Sequence, residues 1–175
     1  VIAAGIDLGG TKIELQLFDE KWKIARRKRI ETPRVYPDLV AAIADIIRWA
    51  DLETGGEIPI GIGAAGLLNP ATGLALTANL CATGKPLKAD VESAIGRTIT
   101  YVNDCRALAL SEAVFGVGKG AGTVLALILG TGIGGGVSVN GTILDGPTNV
   151  GGEFGHMSAP AHLLQEFALP AVPCG

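Results

Sequence analysis

Two glycine-rich stretches of this 175-residue chain carry residue types that can hold phosphate groups. The first, "DLGGTK" (7–12), combines a carboxylate, two glycines, a hydroxyl and an ammonium in one predicted turn. Backbone N–H groups that no side chain covers form a concave anion site, and Asp7 can hold Mg²⁺ directly or through water. The second, "GTGIGG" (130–135), is a glycine turn between two apolar strands. An ordinary hairpin with a polar tip explains one such stretch equally well, whereas two in repeated units favour phosphate binding.

The stretches "GTGIGG" and "GIGAAG" (61–66) also match the glycine pattern G-x-G-x-x-G of dinucleotide sites. That pattern works only where the glycines follow a strand and open a helix. "GIGAAG" is followed by a turn containing proline, and "GTGIGG" by "GVSVNG", which alternates like a strand and ends in an Asn-Gly hairpin signal. We therefore expect no NAD-type site. A Walker-type phosphate loop is also excluded, because the chain has no Gly-Lys-Ser/Thr triplet.

Three side chains are candidates for proton transfer or for binding hydroxyl groups. Asp104 follows a predicted strand and precedes a predicted helix, so its carboxylate is expected at a strand end that faces a cleft. Capping a helix that begins at Cys105 would use the same oxygens, and the sequence leaves both roles open. Glu153 and His156 lie three residues apart among glycines, where they can offer a fixed acceptor and donor to a ligand.

The elements that must position these residues have an α/β pattern. The first thirty residues predict three strands joined by hairpins: an apolar central strand (1–6), an alternating strand (Lys12–Phe18) and a basic, exposed edge strand. Helices and strands then alternate, with helices predicted at 37–50, 86–96 and 105–116 and strands at 58–66, 74–79 and 98–104. The pattern predicts a mixed sheet with helices packed on it.

A second run of strands begins after the glycine-rich segment "GVGKGAG" (116–122). Three predicted strands follow, "TVLALILG", "GGGVSVNG" and "TILDG", and a short helix, on which His162 is expected to be a surface residue. The hairpins near 3–18 and 123–139 suggest a weak internal repeat. We predict a first lobe over 1–118 and the opening of a second lobe over 119–175.

Composition and charge exclude several classes of protein. The net charge of −3 argues against a nucleic-acid surface. Membrane spans and secretory leaders are not expected, because no apolar run approaches about 18 residues and the start of the chain lacks the pattern of a signal peptide. Cys81, Cys105 and Cys174 have no metal-like spacing and suit a reducing compartment, which predicts a cytoplasmic protein.

Four motifs in order resemble those of the ROK family, which comprises sugar kinases and sugar-responsive regulators. They are "DLGGTK", "NDCRALALSE" (103–112), "ILGTGIGGG" (128–136) and "GGEFGHM" (151–157). The resemblance implies an actin-like, ribonuclease H-like α/β fold, in which two lobes flank a cleft and each contributes a glycine hairpin to the phosphates of ATP. "TGKPLKADV" (83–91) and "GEFGHM" are most similar to members that phosphorylate N-acetylglucosamine.

The resemblance also implies a reaction and a set of site residues. The reaction is ATP- and Mg²⁺-dependent phosphorylation of the 6-hydroxyl of a hexose or amino sugar, N-acetylglucosamine first, with Asp104 as general base. The implied phosphate-binding residues are Asp7 (also near Mg²⁺), Gly9, Gly10, Thr11, Lys12, Gly130, Thr131, Gly132 and Gly134. The implied sugar-binding residues are Gly66, Asn79, Asn103, Asp104, Glu153 and His156.

The chain departs from the family pattern at two places. Ala65 stands where proline is usual in the segment that lines the sugar site. Many members bind zinc through the matching histidine and three cysteines, but here Val172 replaces the first cysteine and Cys174 matches the second. Because tetrahedral zinc needs four ligands, we expect none on His156 and Cys174.

The resemblance carries three further expectations. Relatives continue beyond this point, so we expect an N-terminal fragment with weak or absent turnover on its own. Family members also form homodimers, which predicts the same assembly here. The alternative function is the sugar-sensing domain of a ROK-type repressor, which would place a helix-turn-helix segment before the first glycine motif.

Overall fold

The architecture consists of three sheets and four helices, given by a computed structural model that describes residues 1–129, 133–158 and 160–167. The strands are β1 (Ala3–Leu8), β2 (Lys12–Phe18), β3 (Ile24–Glu31), β4 (Ile60–Ala64), β5 (Leu67–Leu68), β6 (Ala75–Leu76), β7 (Thr100–Asn103), β8 (Thr123–Leu129), β9 (Ile133–Val139) and β10 (Thr142–Ile143). The helices are α1 (Tyr36–Thr54), α2 (Leu87–Ile95), α3 (Asp104–Val114) and α4 (Ala161–Glu166), and a 3₁₀ turn spans Phe154–His156.

The main sheet has the strand order β3-β2-β1-β4-β7. Strands β1, β2 and β3 are antiparallel neighbours, while β4 pairs parallel with both β1 and β7. As the sequence predicted, the apolar β1 is central and the basic β3 forms an exposed edge. The carboxyl ends of β1, β4 and β7 therefore lie at one edge of the sheet.

The hydrophobic core lies between this sheet and the helices α1 and α2. The alternation along β2 directs Ile13, Leu15 and Leu17 to the core, where all three are fully buried. They join the buried stripe on α1, which includes Leu39 and Ile43 and recurs at helical spacing. This packing fixes β1 and β2, and with them the glycine turn that connects these strands.

The second sheet has the order β10-β9-β8 and is antiparallel. Its β9–β10 hairpin turns at Asn140 and Gly141, whose φ angles are 50° and 74°. Positive φ at both central residues is typical of the two-residue turn that Asn-Gly predicts. Helix α3 contacts β8 and β9 of this sheet and also β4 and β7 of the main sheet. The predicted division at 118/119 falls between α3 and β8 and stays a prediction.

The predicted α/β pattern is confirmed, but several boundaries were wrong. The strand predicted over 74–79 is only Ala75–Leu76, and it pairs with β5, a strand that was not predicted. The third helix was expected at 105–116 but spans Asp104–Val114. Its C-cap is Phe115, whose ring lies 5.2 Å from that of Trp22. A contact with a residue so distant in sequence cannot be read from the local pattern.

Along the described ranges, no helix has the length and apolar character that crossing a membrane requires.

Candidate phosphate and sugar site

Asp7 and Asp104 line the same groove, which has a volume of about 700 Å³. The groove lies on the face of the main sheet away from the α1 core, because Asp7 alternates with the buried residues of β1. Gly5, Gly61 and Gly63 form much of its floor, and without side chains they leave the space open. The structure therefore brings two acidic groups from distant parts of the sequence to one solvent-accessible cavity.

The charge of Asp7 is poorly compensated by the protein. Burial raises the pKa of Asp7 above its ordinary value, and the negative charge of Asp104 raises it further, while Lys12 partly opposes the shift. In the β1–β2 pairing Asp7 also lies opposite Glu14, another acid. A cation bound at this position would relieve the repulsion, which is consistent with the oxygen ligands that Mg²⁺ prefers.

The glycine turn at residues 9–11 is held firmly by its surroundings. Gly9 N–H donates to Lys12 O at 3.0 Å, and Gly9 O accepts from Thr32 Oγ1 at 2.6 Å. The amide of Gly9 is thus engaged within the hairpin. A Cβ on Gly10 would lie 2.6 Å from both Cβ and O of Asn79, so glycine is required where the turn meets that loop. Thr11 and Lys12 are exposed at the tip.

The junction between β7 and α3 shows which residue caps the helix. Asn103 Oδ1 accepts from Cys105 N at 3.0 Å and from Arg106 N at 3.3 Å. The N-cap is therefore Asn103, and the alternative that assigned this role to Asp104 was wrong, because the helix begins one residue earlier than expected. Asp104 is half-buried in the first turn, and its Oδ1 accepts from Cys105 N at 2.8 Å.

Gly66 lies beside this junction, and Asn79 lies beside the first glycine turn. Asn103 Nδ2 donates to Gly66 O at 3.1 Å. Gly66 has a φ of 124°, and a Cβ there would lie 2.4 Å from Leu76 O, so only glycine fits. Through Gly10, Asn79 lies against the first glycine turn. Four of the predicted sugar-binding positions thus lie near the carboxyl edge of the main sheet.

Glu153 and His156 come together in the 3₁₀ turn. His156 N donates to Glu153 O at 3.1 Å, and the His156 side chain is exposed. Glu153 is half-buried, and its Oε1 is buried without a hydrogen-bond partner among the described residues. An unsatisfied buried acceptor indicates a site where a ligand or water donates. The pair has the chemistry expected of a site for hydroxyl groups.

Arg106 is a site residue that the sequence analysis missed. The residue is 2% exposed and bonds the segment that leads to Glu153, donating from Nε to Gly151 O at 3.1 Å and from Nη2 to Asn149 O at 2.8 Å. A signal was present, because an arginine within the apolar helix "CRALAL" requires polar partners when it is buried.

The glycines 134–136 have a packing role that the sequence analysis did not consider. A Cβ on Gly134 would lie 2.4 Å from Cys105 Sγ, one on Gly136 2.5 Å from Cys105 O, and one on Gly135 2.5 Å from Phe154 Cδ2. These glycines let β9 pass between α3 and the 3₁₀ turn. A phosphate role for Gly134 stays a prediction, and Gly130, Thr131 and Gly132 lie outside the described residues.

Cys105 adjoins Asp104, and its thiol is not a candidate nucleophile. Burial, followed by the charge of Asp104, raises the pKa of Cys105 to about 12, so the thiol stays protonated and is a poor nucleophile. In the part of the chain that the structure describes, no three His, Cys, Asp or Glu side chains group to hold a metal ion. Cys174, one of the two residues considered for zinc, lies outside that part.

Comparison with known proteins gives matches over nearly the whole chain. The model of the ROK family matches residues 3–175. An N-acetyl-D-glucosamine kinase from Yersinia pestis bv. Antiqua (strain Nepal516) is 45% identical over 175 residues, which cover 98% of this chain and 68% of that protein. A second such kinase, from Yersinia pseudotuberculosis serotype IB (strain PB1/+), is also 45% identical, and the chain covers 58% of its length. The chain thus spans about three fifths to two thirds of the length of these relatives.

A solved structure with the same fold is the ROK hexokinase from Thermus thermophilus. It has a TM-score of 0.84 and 34% sequence identity, with coverage of 99% of this chain and 56% of that chain. These values confirm the predicted fold class, an actin-like mixed sheet with flanking helices.

Proposed function

Because the chain belongs to the ROK family, we propose that it serves the ATP-dependent phosphorylation of a hexose or amino sugar at the 6-hydroxyl, N-acetylglucosamine first. The observation that carries the proposal is the groove on the face of the main sheet that Asp7 and Asp104 share, where both residues lie at the carboxyl edge of β1, β4 and β7. Ligands of open α/β sheets bind at such edges. The similarity to N-acetyl-D-glucosamine kinases supports the sugar.

Asp104 is the proposed general base. Its Oδ1 accepts from Cys105 N, which orients the carboxylate and leaves Oδ2 to accept the proton of the 6-hydroxyl. As that proton leaves, the sugar oxygen forms a bond to the γ-phosphorus, the bond from phosphorus to the bridging oxygen breaks, and its electron pair departs with ADP. Because little covalent chemistry falls to the protein, the fixed position of Asp104 on α3 is its main contribution.

The sugar is assigned to the residues that the sequence predicted for it. Glu153 offers an unsatisfied buried oxygen as acceptor, and His156, Asn79 and Gly66 complete the proposed site. Asn103 has only part of its side chain available for the sugar. Its Oδ1 caps α3, and one hydrogen of its side-chain amide is donated to Gly66 O. Its second amide hydrogen is the one that a sugar hydroxyl could accept.

The phosphates and Mg²⁺ are assigned to the first glycine turn and to the second hairpin. Thr11 and Lys12 are exposed at the tip and can donate to phosphate oxygens, together with the Gly10 amide. Asp7 fits Mg²⁺, because this cation takes one or two carboxylates and completes its shell with waters and phosphate oxygens. When bound, it would neutralise charge on the phosphate oxygens. Gly130, Thr131, Gly132 and Gly134 stay the predicted phosphate-binding residues of the second hairpin.

The proposal is tested by sugar-dependent ADP release from the whole protein with hexoses and amino sugars. Asp104→Asn keeps the shape of the side chain but removes the base, and we expect turnover to fall by about 10²–10⁴-fold. Sugar binding by calorimetry should survive the substitution. Failure of the wild type to release ADP and to bind any sugar would refute the proposal. Sugar binding without ADP release would instead support the repressor alternative, which a gel shift with operator DNA then tests.

Cellular context and assembly form part of the same proposal. We propose a cytoplasmic protein that forms homodimers and binds no nucleic acid. The net charge of −3 and the pI near 5.4 support the last of these statements. Sedimentation and cell fractionation test these statements. The 175-residue chain is expected to turn over weakly or not at all compared with the whole protein, since it spans only part of the length of its relatives.

A further inference from the structure

A buried guanidinium connects the start of α3 to the segment that carries Glu153. Arg106 is 2% exposed, and a positive charge at that depth is costly unless its donors have partners. Nε donates to Gly151 O, Nη2 donates to Asn149 O, and Nη1 donates to Asn149 Oδ1. The group is therefore held by three hydrogen bonds to residues more than forty positions away in sequence.

The Glu153 carboxylate lies beside the Arg106 guanidinium but keeps its capacity to accept hydrogen bonds. Arg106 Nη2 lies 3.8 Å from Glu153 Oε1, which makes an ion pair but is too long for a hydrogen bond. Oε1 itself is buried without a hydrogen-bond partner in the described ranges. The guanidinium thus compensates the charge of Glu153 without occupying its lone pairs. An acceptor in this state is matched to a neutral donor such as a sugar hydroxyl.

We propose that Arg106 is the positioning residue that fixes the carboxylate of Glu153 for sugar binding, an inference that rests on the proposed function. Arg106 lies two residues after Asp104 in the first turns of α3. The Arg106 side chain therefore sets the placement of the Glu153 carboxylate, which follows β10, relative to Asp104 at the start of α3.

The contacts at Arg106 and at Asn149 hold both ends of this hydrogen-bonded link in place. A Cβ on Gly136 would lie 2.7 Å from Arg106 Cα, so β9 packs directly against the backbone of Arg106. At the other end, Asn149 Nδ2 donates to Leu68 O at 2.7 Å, and Asn149 has a φ of 59°, a conformation that asparagine tolerates. Lysine cannot replace the arginine here, because it lacks the planar fork that makes three directed bonds.

The test compares Arg106→Lys with the wild type in the whole protein, using N-acetylglucosamine and ATP. The substitution keeps the charge and loses the fork, so Glu153 is displaced while Asp104 stays in place. We expect the KM for the sugar to rise by about 10- to 100-fold, whereas kcat and the KM for ATP change less than about threefold. The double variant with Glu153→Gln should show less than additive effects, because both substitutions act on one carboxylate.

A matched control separates positioning from stability. Arg97 is another arginine with little exposure, paired with Asp51 of α1, and Arg97→Lys should lower Tm without changing the KM for the sugar. If Arg106→Lys behaves in the same way, the inference is wrong. If that variant does not fold, Asn149→Ala removes one acceptor and leaves α3 intact, and an unchanged KM then refutes the inference. Wild-type protein that binds no sugar refutes the proposed function instead, which keeps the two failures distinct.

Discussion

The hairpins β1–β2 and β8–β9 have the same design but different chemistry. Both are antiparallel, and their strands are separated by residues 9–11 and 130–132. The penultimate residue of the first strand lines the groove in each, but it is Asp7 in one and Ile128 in the other. Two hairpins of the same design can therefore supply charge from one and an apolar wall from the other.

The two hairpins also differ in how their apolar residues are covered. Ile13, Leu15 and Leu17 of β2 are fully buried under α1, whereas Leu125, Leu127 and Leu129 of β8 are 53%, 48% and 75% exposed. On its other face the second sheet packs on α3 through glycines. The first hairpin is thus stabilised by burial of large side chains, and the second by close backbone contact.

Leucine truncation should distinguish these two modes most strongly. Leu15→Ala removes a fully buried side chain and is expected to lower the free energy of unfolding by about 2–5 kcal/mol. Leu127→Ala truncates a half-exposed side chain, and we expect a change below about 0.5–1 kcal/mol. Urea titration followed by circular dichroism measures both. Equal losses would show that the exposed face of β8 is covered in solution and would break the comparison.

A methyl group on Gly136 should have the next largest effect. The new Cβ would meet Cys105 O and Arg106 Cα at 2.5 and 2.7 Å, and both belong to backbone that cannot yield easily. We expect Gly136→Ala to cost about 1–3 kcal/mol. Gly61→Ala is the strand control, because no heavy atom lies within 4 Å of its Cβ position. A Gly136→Ala variant as stable as the Gly61→Ala control would contradict backbone-to-backbone packing of β9 on α3.

The smallest expected effect is the pH-dependent gain on removing the charge of Asp7. Because burial and Asp104 raise its pKa in the folded state, the ionised carboxylate destabilises the fold above that pKa. Asp7→Asn should therefore raise Tm slightly at neutral pH, and the gain should vanish as the pH falls through the folded-state pKa toward the ordinary value of 3.8. Thermal melts of both proteins across this range test the sign. If Asp7→Asn has a lower Tm than the wild type at neutral pH, the charge of Asp7 stabilises the fold and the prediction is wrong.

Local pattern was sufficient for most of the fold. The alternation of apolar residues predicted β2 with its observed bounds, and Asn140-Gly141 predicted the β9–β10 turn. Basic residues on β3 predicted an edge strand. These features depend on period, charge and turn chemistry within a few residues, all of which are visible in one sequence.

The parts of the site that sequence reasoning missed depend on distant partners. Arg106 bonds Asn149 across 43 positions, and its role follows only once β9 packs on α3. Only Asp104 was considered as the helix cap from the sequence, whereas Asn103 has this role because of the backbone geometry at the end of β7. Glycines 134–136 match a ligand-binding pattern and a packing pattern equally well, until the neighbouring atoms are known.

Helix α3 contacts strands of both sheets, and this shared contact has a consequence for the residue at its start. A substitution that moves α3 relative to the main sheet also moves it relative to β8 and β9, because the same helix packs on all of them. The orientation of Asp104 therefore depends on packing against both sheets, and variants far from the groove that loosen either contact are expected to misplace this carboxylate.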